Sequence, residues 1–153
     1  MTRTETRTPE LTTTFGRLVE VYVALERELG RSLDERCGIP HSWFEMMLRI
    51  SRSDQGRISM GDLAGQVALT TGGVTRLFDR MVAAGYAERV PSPRDRRVVF
   101  AALSPAGRAK LEEATEVHEH NLARLFGALS SADRRQLDDL LERLRGSASP
   151  SPT

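Results

Sequence analysis

Between Tyr86 and Phe100 the chain carries Arg89, Arg94, Arg96 and Arg97 against only Glu88 and Asp95. Three of these arginines sit in Pro91-Ser92-Pro93-Arg94-Asp95-Arg96-Arg97, between two stretches that read as strands, Tyr86–Val90 and Val98–Leu103. A guanidinium stays charged and presents a rigid fork of donors that matches phosphate or the edge of guanine. Such a cluster adds little to a fold at the tip of a hairpin. It suits a phosphate backbone or a narrow groove. Upstream, Thr70, Thr71, Gly72, Gly73, Thr75 and Arg76 make a small, polar series where a helical pattern begins. Two glycines in a first turn cost roughly 1 kcal/mol each against alanine, a cost that fits a surface which another molecule's backbone must approach. Arg76 is the candidate for a guanine edge or a phosphate. Asp79 on the same helix would repel DNA, so an i, i+3 pair with Arg76 that aims the arginine is expected.

Other reactive side chains are sparse. Cys37 is the single cysteine, which excludes an intrachain disulfide and a cysteine-based zinc cluster within one chain. It follows Arg36 just before a helix start, where a cation and a helix dipole lower a thiol's pKa, as a redox-sensing thiol requires. Glu116 and His120 stand four apart on one helical face, and His41 or His118 could approach from elsewhere to make a metal-responsive site. A helical Glu/His pair is more often solvated, and neither a metal nor a cofactor is expected. No Gly-rich phosphate loop, HExxH pair or nucleophile elbow occurs, so no catalytic residue and no enzyme activity are expected.

The arginines and the threonine–glycine series need a scaffold, and Ser59–Leu103 reads as one. Ser59 with Asp62 is a capping-box start, and Leu63, Ala64 and Val67 give the helix it opens an apolar face. After a short break at Ala68–Thr70, a second helix runs from about Thr71 to Ala84 and stops at Gly85. Its apolar positions, Val74, Leu77, Phe78 and Met81, follow i, i+3, i+4, i+7 and leave Gly72, Arg76 and Asp79 opposite. The hairpin follows, with Ile58 a candidate third strand beside it. Helix, turn, helix and hairpin in that order make a winged helix-turn-helix.

The flanking segments are helical. Thr8 caps a helix with Pro9 at its first position, and Leu11, Phe15, Leu18, Tyr22, Leu25 and Leu29 form a narrow seam widened by Val19, Val21 and Val23. Gly30 is expected to end or loosen this helix, with Arg31–Gly38 a polar connection. His41, Trp43, Met46 and Met47 lie on a helix opened by Ile39-Pro40 that is apolar nearly all round, hence central. They read either as plain core or as the lining of a site for an aromatic ligand. Ser104 and Pro105 cap a long helix to about Leu129, with Leu111, Thr115, His118, Leu122, Leu125 and Leu129 in a heptad-like stripe. Ser130 and Asp133 open the last helix, which buries Leu137, Leu140, Leu141 and Leu144 before Gly146.

Thr75-Arg76-Leu77-Phe78-Asp79-Arg80-Met81 and Gly85-Tyr86-Ala87-Glu88-Arg89 closely resemble the recognition helix and first wing strand of MarR-type regulators. Asp95-Arg96-Arg97-Val98-Val99, running into Leu103-Ser104-Pro105-Ala106-Gly107, is similar to that family's wing signature. Ser104 stands where threonine is commoner, and both residues cap a helix. The resemblance covers roughly residues 10 to 145. It implies that Asp95 orients Arg97, that Arg97 enters the minor groove, and that Arg94 and Arg96 touch phosphates. It also implies a homodimer whose terminal helices interlock, and a ligand site between the first two helices. The dimer seam would use Leu11, Phe15, Leu18 and Tyr22 with Leu122, Leu125, Leu137 and Leu141.

The 153 residues, at 17.0 kDa, suit one structural domain. Hydrophobic content of 39%, charged content of 28% and a net charge of +1 are ordinary for a soluble protein, so the case for DNA rests on where the charge lies. No apolar run approaches a membrane span and the threonine-rich start lacks a signal peptide's core, so a cytoplasmic protein without membrane partners is expected. The expected fold is mainly α (α+β), a winged helix-turn-helix flanked by dimerisation helices. Its parts are a flexible start (1–8), a dimerisation helix and connection (9–38), a DNA-binding region (39–103), C-terminal helices (104–146) and a disordered tail (147–153). The expected function is a dimeric regulator, a ligand-relieved repressor on a pseudo-palindromic operator in double-stranded DNA. The alternatives are a winged helix that only binds protein, or a redox- or metal-responsive regulator.

Overall fold

The computed structural model describes residues 9–66 and 71–148. Thr8 as a cap, Val67, the break at Ala68–Thr70 with the expected contact Thr70, the Thr71 side chain, and segments 1–8 and 149–153 lie outside the described residues. The elements are α1 (Pro9–Cys37), α2 (His41–Arg52), a 3-10 turn (Asp54–Gly56), β1 (Arg57–Ser59), α3 (Met60–Gln66) and α4 (Thr71–Ala83). There follow β2 (Ala87–Pro91), β3 (Val99–Leu103), α5 (Pro105–Leu125), a second 3-10 turn (Phe126–Ala128) and α6 (Ser131–Ala148). The chain divides into two compact units, Met1–His118 and Glu119–Thr153.

In the first unit, Gly30 does not end α1. The helix continues through it to Cys37, so most of the expected polar connection is helical. Two local effects outweigh the glycine. Leu29, Ser32, Leu33 and Cys37 keep the helical period on a buried face, and Arg31 reaches Glu28 and Glu35, each at 3.0 Å. Termination comes at Gly38, whose φ of +67° is left-handed and whose N–H returns to the Asp34 carbonyl at 3.0 Å. Lys110, the chain's single lysine, donates from Nζ to the Cys37 carbonyl at 3.1 Å and so caps the end of α1 from α5.

Helix α2 is central, with Phe44, Met46, Met47 and Ile50 all at most 1% exposed. They meet Leu33 and Ile39, Leu63 of α3, Val74, Phe78 and Met81 of α4, and Ala101 and Leu103 of β3 in one cluster. Ser59 caps α3: its Oγ accepts the Asp62 N–H at 3.1 Å and donates to Asp62 Oδ2 at 2.6 Å. Helix α4 ends in a Schellman turn, with the Tyr86 N–H on the Met81 carbonyl at 3.0 Å and Gly85 at φ +82°. The sheet is antiparallel in the order β1-β3-β2, so Ile58 does lie in a third strand, opposite Ala101. Ile58, Ala87, Ala101 and Leu103 face the core, while Arg57 lies over the Phe100 ring on the outer face, 5.0 Å from its centroid.

Leu103-Ser104-Pro105-Ala106-Gly107 is a latch between sheet and helix. The Ser104 N–H bonds the Tyr86 carbonyl at 3.1 Å. The Ser104 Oγ donates to the Gly85 carbonyl at 2.6 Å and accepts the Gly107 N–H at 3.0 Å. A Cβ on Gly107 would stand 1.8 Å from the Tyr86 carbonyl oxygen, so only glycine allows this approach.

The second unit contains the end of α5, the 3-10 turn and α6. The expected helix to Leu129 tightens into that turn after Leu125. Ser130 and Asp133 form the expected capping box, with Oγ to Oδ2 at 2.5 Å and the Asp133 N–H to Oγ at 3.1 Å. Helix α6 passes through Gly146 to Ala148. Leu140, Leu141 and Leu144, expected to be buried, are 50%, 42% and 53% exposed; nothing among the described residues covers that stripe.

Candidate nucleic-acid interface

Helix α4 turns Val74, Phe78 and Met81 into the core and half-buries Leu77. Gly72, Thr75, Arg76, Asp79 and Arg80 are exposed, and Gly73 is half-buried. A Cβ on Gly72 would meet nothing within 4 Å, so the fold itself has no need of glycine there. Asp79 does not pair with Arg76. Its carboxylate takes the guanidinium of Arg89 on β2, which also lies over the Phe78 ring at 5.3 Å. Two anchors hold Arg89 in place, whereas an i, i+3 pair on a helix surface is worth only a few tenths of a kcal/mol. The pairing neutralises Asp79, fastens α4 to the wing, and leaves Arg76 without an ion-pair partner among the described residues.

The wing tip is a hydrogen-bonded turn built from two short side chains. Ser92 Oγ accepts the N–H groups of Arg94 at 3.2 Å and Asp95 at 3.3 Å. Asp95 Oδ1 accepts the Arg97 N–H at 3.0 Å and its Nε–H at 3.2 Å. The backbone and then the side chain of Arg97 hold the Asp95 carboxyl below the usual carboxylate range. Arg97 itself is 91% exposed, and Arg94 and Arg96 are exposed beside it. The tip therefore presents three guanidinium groups to solvent, one of them braced.

A model of the MarR family matches residues 38–98, from the end of α1 to the wing. The uncharacterized HTH-type transcriptional regulator YdgJ of Bacillus subtilis is 26% identical over 121 residues, 79% of this chain and 73% of that protein. A mutant MarR from Escherichia coli, solved complexed with operator DNA, superposes at a TM-score of 0.71 with 26% identity over 86% of this chain and 93% of that one. In sequence and in fold the chain resembles MarR family transcriptional regulators. Its architecture is shared still more fully with Sco3205 of Streptomyces coelicolor, a MarR family regulator solved in complex with DNA. That superposition reaches a TM-score of 0.84 at 23% identity, over 96% of this chain and 93% of that one. YdgJ and Sco3205 are both transcriptional regulators.

The remaining expected site residues fall into distinct settings. Met46 and Met47 are wholly buried in the core, while Trp43 is half-buried in a T-shaped contact with Tyr86, centroids 6.1 Å apart. Trp43 Nε1 is buried without a hydrogen-bond acceptor among the described residues. His41 stacks against both Phe44 and His118, at 6.3 and 5.9 Å, and those two rings lie 4.7 Å apart. No group of three His, Cys, Asp or Glu able to hold a metal occurs among the described residues, so Glu116, His120 and the other histidines do not assemble one. Cys37 is the last residue of α1 and not a residue preceding a helix start. Burial, then Glu113, push its thiol pKa up against the opposing pull of Lys110 and Arg36, the reverse of the lowering expected. No helix among the described residues is long and apolar enough to cross a membrane.

Sequence reasoning missed Arg57 and left Arg89 without a role. Arg57, over Phe100, borders a crevice of about 380 Å³ that Ser92, Pro93 and Arg94 also line, which adds a cation at the base of the wing. Its signal lies in the strand register: Ser59 opposes Phe100, and Arg57, two residues before Ser59, shares that outer face.

Proposed function

We propose that the chain represses transcription as a homodimer that binds a pseudo-palindromic operator in double-stranded DNA. The observation that carries the reading is the wing tip. Arg94, Arg96 and Arg97 face solvent there, and Asp95 braces one of them. Such an arrangement costs solvation freedom and returns nothing to the fold, but a narrow minor groove rewards it. Arg97 is assigned to the groove, Arg94 and Arg96 to phosphates, and Thr70, Thr71, Gly72, Gly73, Thr75 and Arg76 to the major groove and its backbone. Asp79, tied to Arg89, no longer opposes that approach. The test is selection of bound sequences from random duplex DNA, followed by a salt titration. A pseudo-palindrome with half-sites about one helical turn apart, and affinity falling steeply with salt, is the expected outcome. Failure to enrich any sequence refutes it.

Dimerisation is supported by the apolar stripe of α1, where Leu11, Phe15 and Tyr22 are 67%, 66% and 61% exposed. A monomer rarely leaves so continuous an apolar surface uncovered. Leu18, Leu122, Leu125, Leu137 and Leu141 are assigned to the same interface, and a two-fold partner would cover the α1 stripe with its own terminal helices.

Relief by a small aromatic anion is the finer reading. It is favoured by Trp43 Nε1, a buried donor that a carboxylate or phenolate oxygen would satisfy. His41 is the adjacent cation candidate, while Met46 and Met47 would have to yield space. Titration of salicylate-like and phenolic compounds against Trp43 fluorescence and operator release tests this. The expected result is one concentration range for both, since linkage ties them.

A further inference from the structure

Helix α3 has seven residues and one fully buried side chain, Leu63. An element so short is not stable alone, and its placement depends on what holds its ends. The start is held by the Ser59–Asp62 box. Its other side is held from another helix: Arg49 of α2 donates from Nε to the carbonyl of Gln66, the last described residue of α3, at 3.1 Å. Its Nη1 meanwhile donates to Glu45 Oε2 at 2.7 Å and to the Glu45 carbonyl at 3.1 Å. The guanidinium therefore bridges one helix to another, and it is only 31% exposed.

We propose that Arg49, clamped by Glu45, is a positioning residue for the helix-turn-helix, fixing the end of α3 against α2. The inference rests on the DNA-binding reading for its functional consequence, although the bridge itself is a property of the fold. The Gln66 carbonyl takes this bond in the last described turn of α3, and a charged donor satisfies a carbonyl better than a neutral one. Only residues 67–70 separate Gln66 of α3 from Thr71 of α4. Fixing Gln66 thus limits where the recognition helix can begin. Glu45 is shared in turn: its Oε1 lies 3.9 Å from His41 Nε2, and His41 Nδ1 lies 3.9 Å from Glu26 of α1. Both separations exceed a hydrogen bond, so Arg49 holds the nearer and stronger claim on the carboxylate. A contact that sets position without touching DNA should matter where register matters and not elsewhere.

The test uses a duplex enriched by the wild-type chain from a random library and an unrelated duplex of equal length. Arg49→Met keeps the stem and removes the donors, while Arg49→Lys keeps the charge and a single point of donation. Arg49→Met should lose about tenfold on the enriched duplex, the equivalent of 1.4 kcal/mol, and under about twofold on the unrelated one, at an unchanged salt slope. Arg49→Lys should recover part of the loss. Amide hydrogen exchange of the DNA-free protein should rise over residues 60–84 in Arg49→Met and stay constant over residues 105–118. Equal affinity and equal exchange overturn the proposal. So does equal loss on both duplexes with a shallower salt slope, which would make Arg49 a phosphate contact. If no duplex is enriched, the operator reading fails and exchange alone decides: a localised rise sustains the positioning role, and its absence ends it. If Arg49→Met does not fold, Glu45→Gln reads the same clamp. A loss of about threefold confined to the enriched duplex supports the proposal, and wild-type affinity overturns it.

Discussion

Gly107→Ala is the sharpest perturbation of the latch that joins the wing to α5. The added Cβ would stand 1.8 Å from the Tyr86 carbonyl oxygen, 2.8 Å from its carbon and 3.2 Å from its Cα. All three are backbone atoms, so no rotamer change relieves the clash. To restore van der Waals distance the start of α5 must retreat by more than about 1 Å, the scale of misfit that close-packed interiors resist. That retreat stretches the Ser104 N–H bond to Tyr86, now 3.1 Å, and the Ser104 Oγ bond to Gly85, now 2.6 Å, beyond useful range. Two neutral hydrogen bonds at about 1 kcal/mol each, with the cost of overpacking, give a loss of roughly 2–4 kcal/mol. For a chain of this size that corresponds to a fall in Tm of about 5–15 °C. Gly146→Ala is the control. Nothing lies within 4 Å of that position in α6, and removing backbone freedom there should stabilise by about 0.5–1 kcal/mol. Both are read by calorimetry on purified protein. If Gly107→Ala melts within about 2 °C of wild type, the latch contact is not what requires glycine and the reasoning fails.

Arg97→Ala should weaken operator binding by roughly 1–3 kcal/mol, the scale of a groove contact, and Asp95→Ala by a smaller factor, with the double variant less than additive in a binding titration. Because the Asp95 carboxyl is held below its ordinary range, its bracing is present above that range and lost only as pH falls through the depressed value. Operator affinity should therefore show no loss from this source between roughly pH 5 and 8. Asp79→Ala should free Arg89 and lower operator affinity while moving Tm little, since the pair is half-exposed (52% and 40%) and screened. Leu18→Glu with Leu141→Glu should give monomers or aggregates in sedimentation, and a folded wild-type monomer at micromolar concentration would refute the proposed interface.

The capping boxes at Ser59 and Ser130, the buried stripe of α4 and the strand at Ile58 were all legible because each depends on residues close in sequence or on simple periodicity. Gly30 misled, since its local propensity is a small term beside the burial of Leu33 and Cys37 a turn or two later. Cys37 was misread for a related reason. Once the helix extends to it, the thiol sits at a C-terminus in the core, and the environment reverses its expected tendency. Asp79 and Arg89 are ten residues apart, and nothing in a helical wheel reveals that a strand returns to the same spot. Arg49 and Gln66 are likewise invisible as a pair until α2 and α3 are packed.

Strand β1 is three residues long and pairs with the middle strand β3. Joining Ser59 to Phe100 closes a loop that contains α3, α4 and β2. Closing roughly forty residues costs about 3 kcal/mol of chain entropy beyond a constant, and no local contact repays it. The recognition helix and the wing should therefore form in one late, cooperative step rather than as separately stable pieces. Their amide protection should rise and collapse together, so damage to the short strand would erase both halves of the reading head at once.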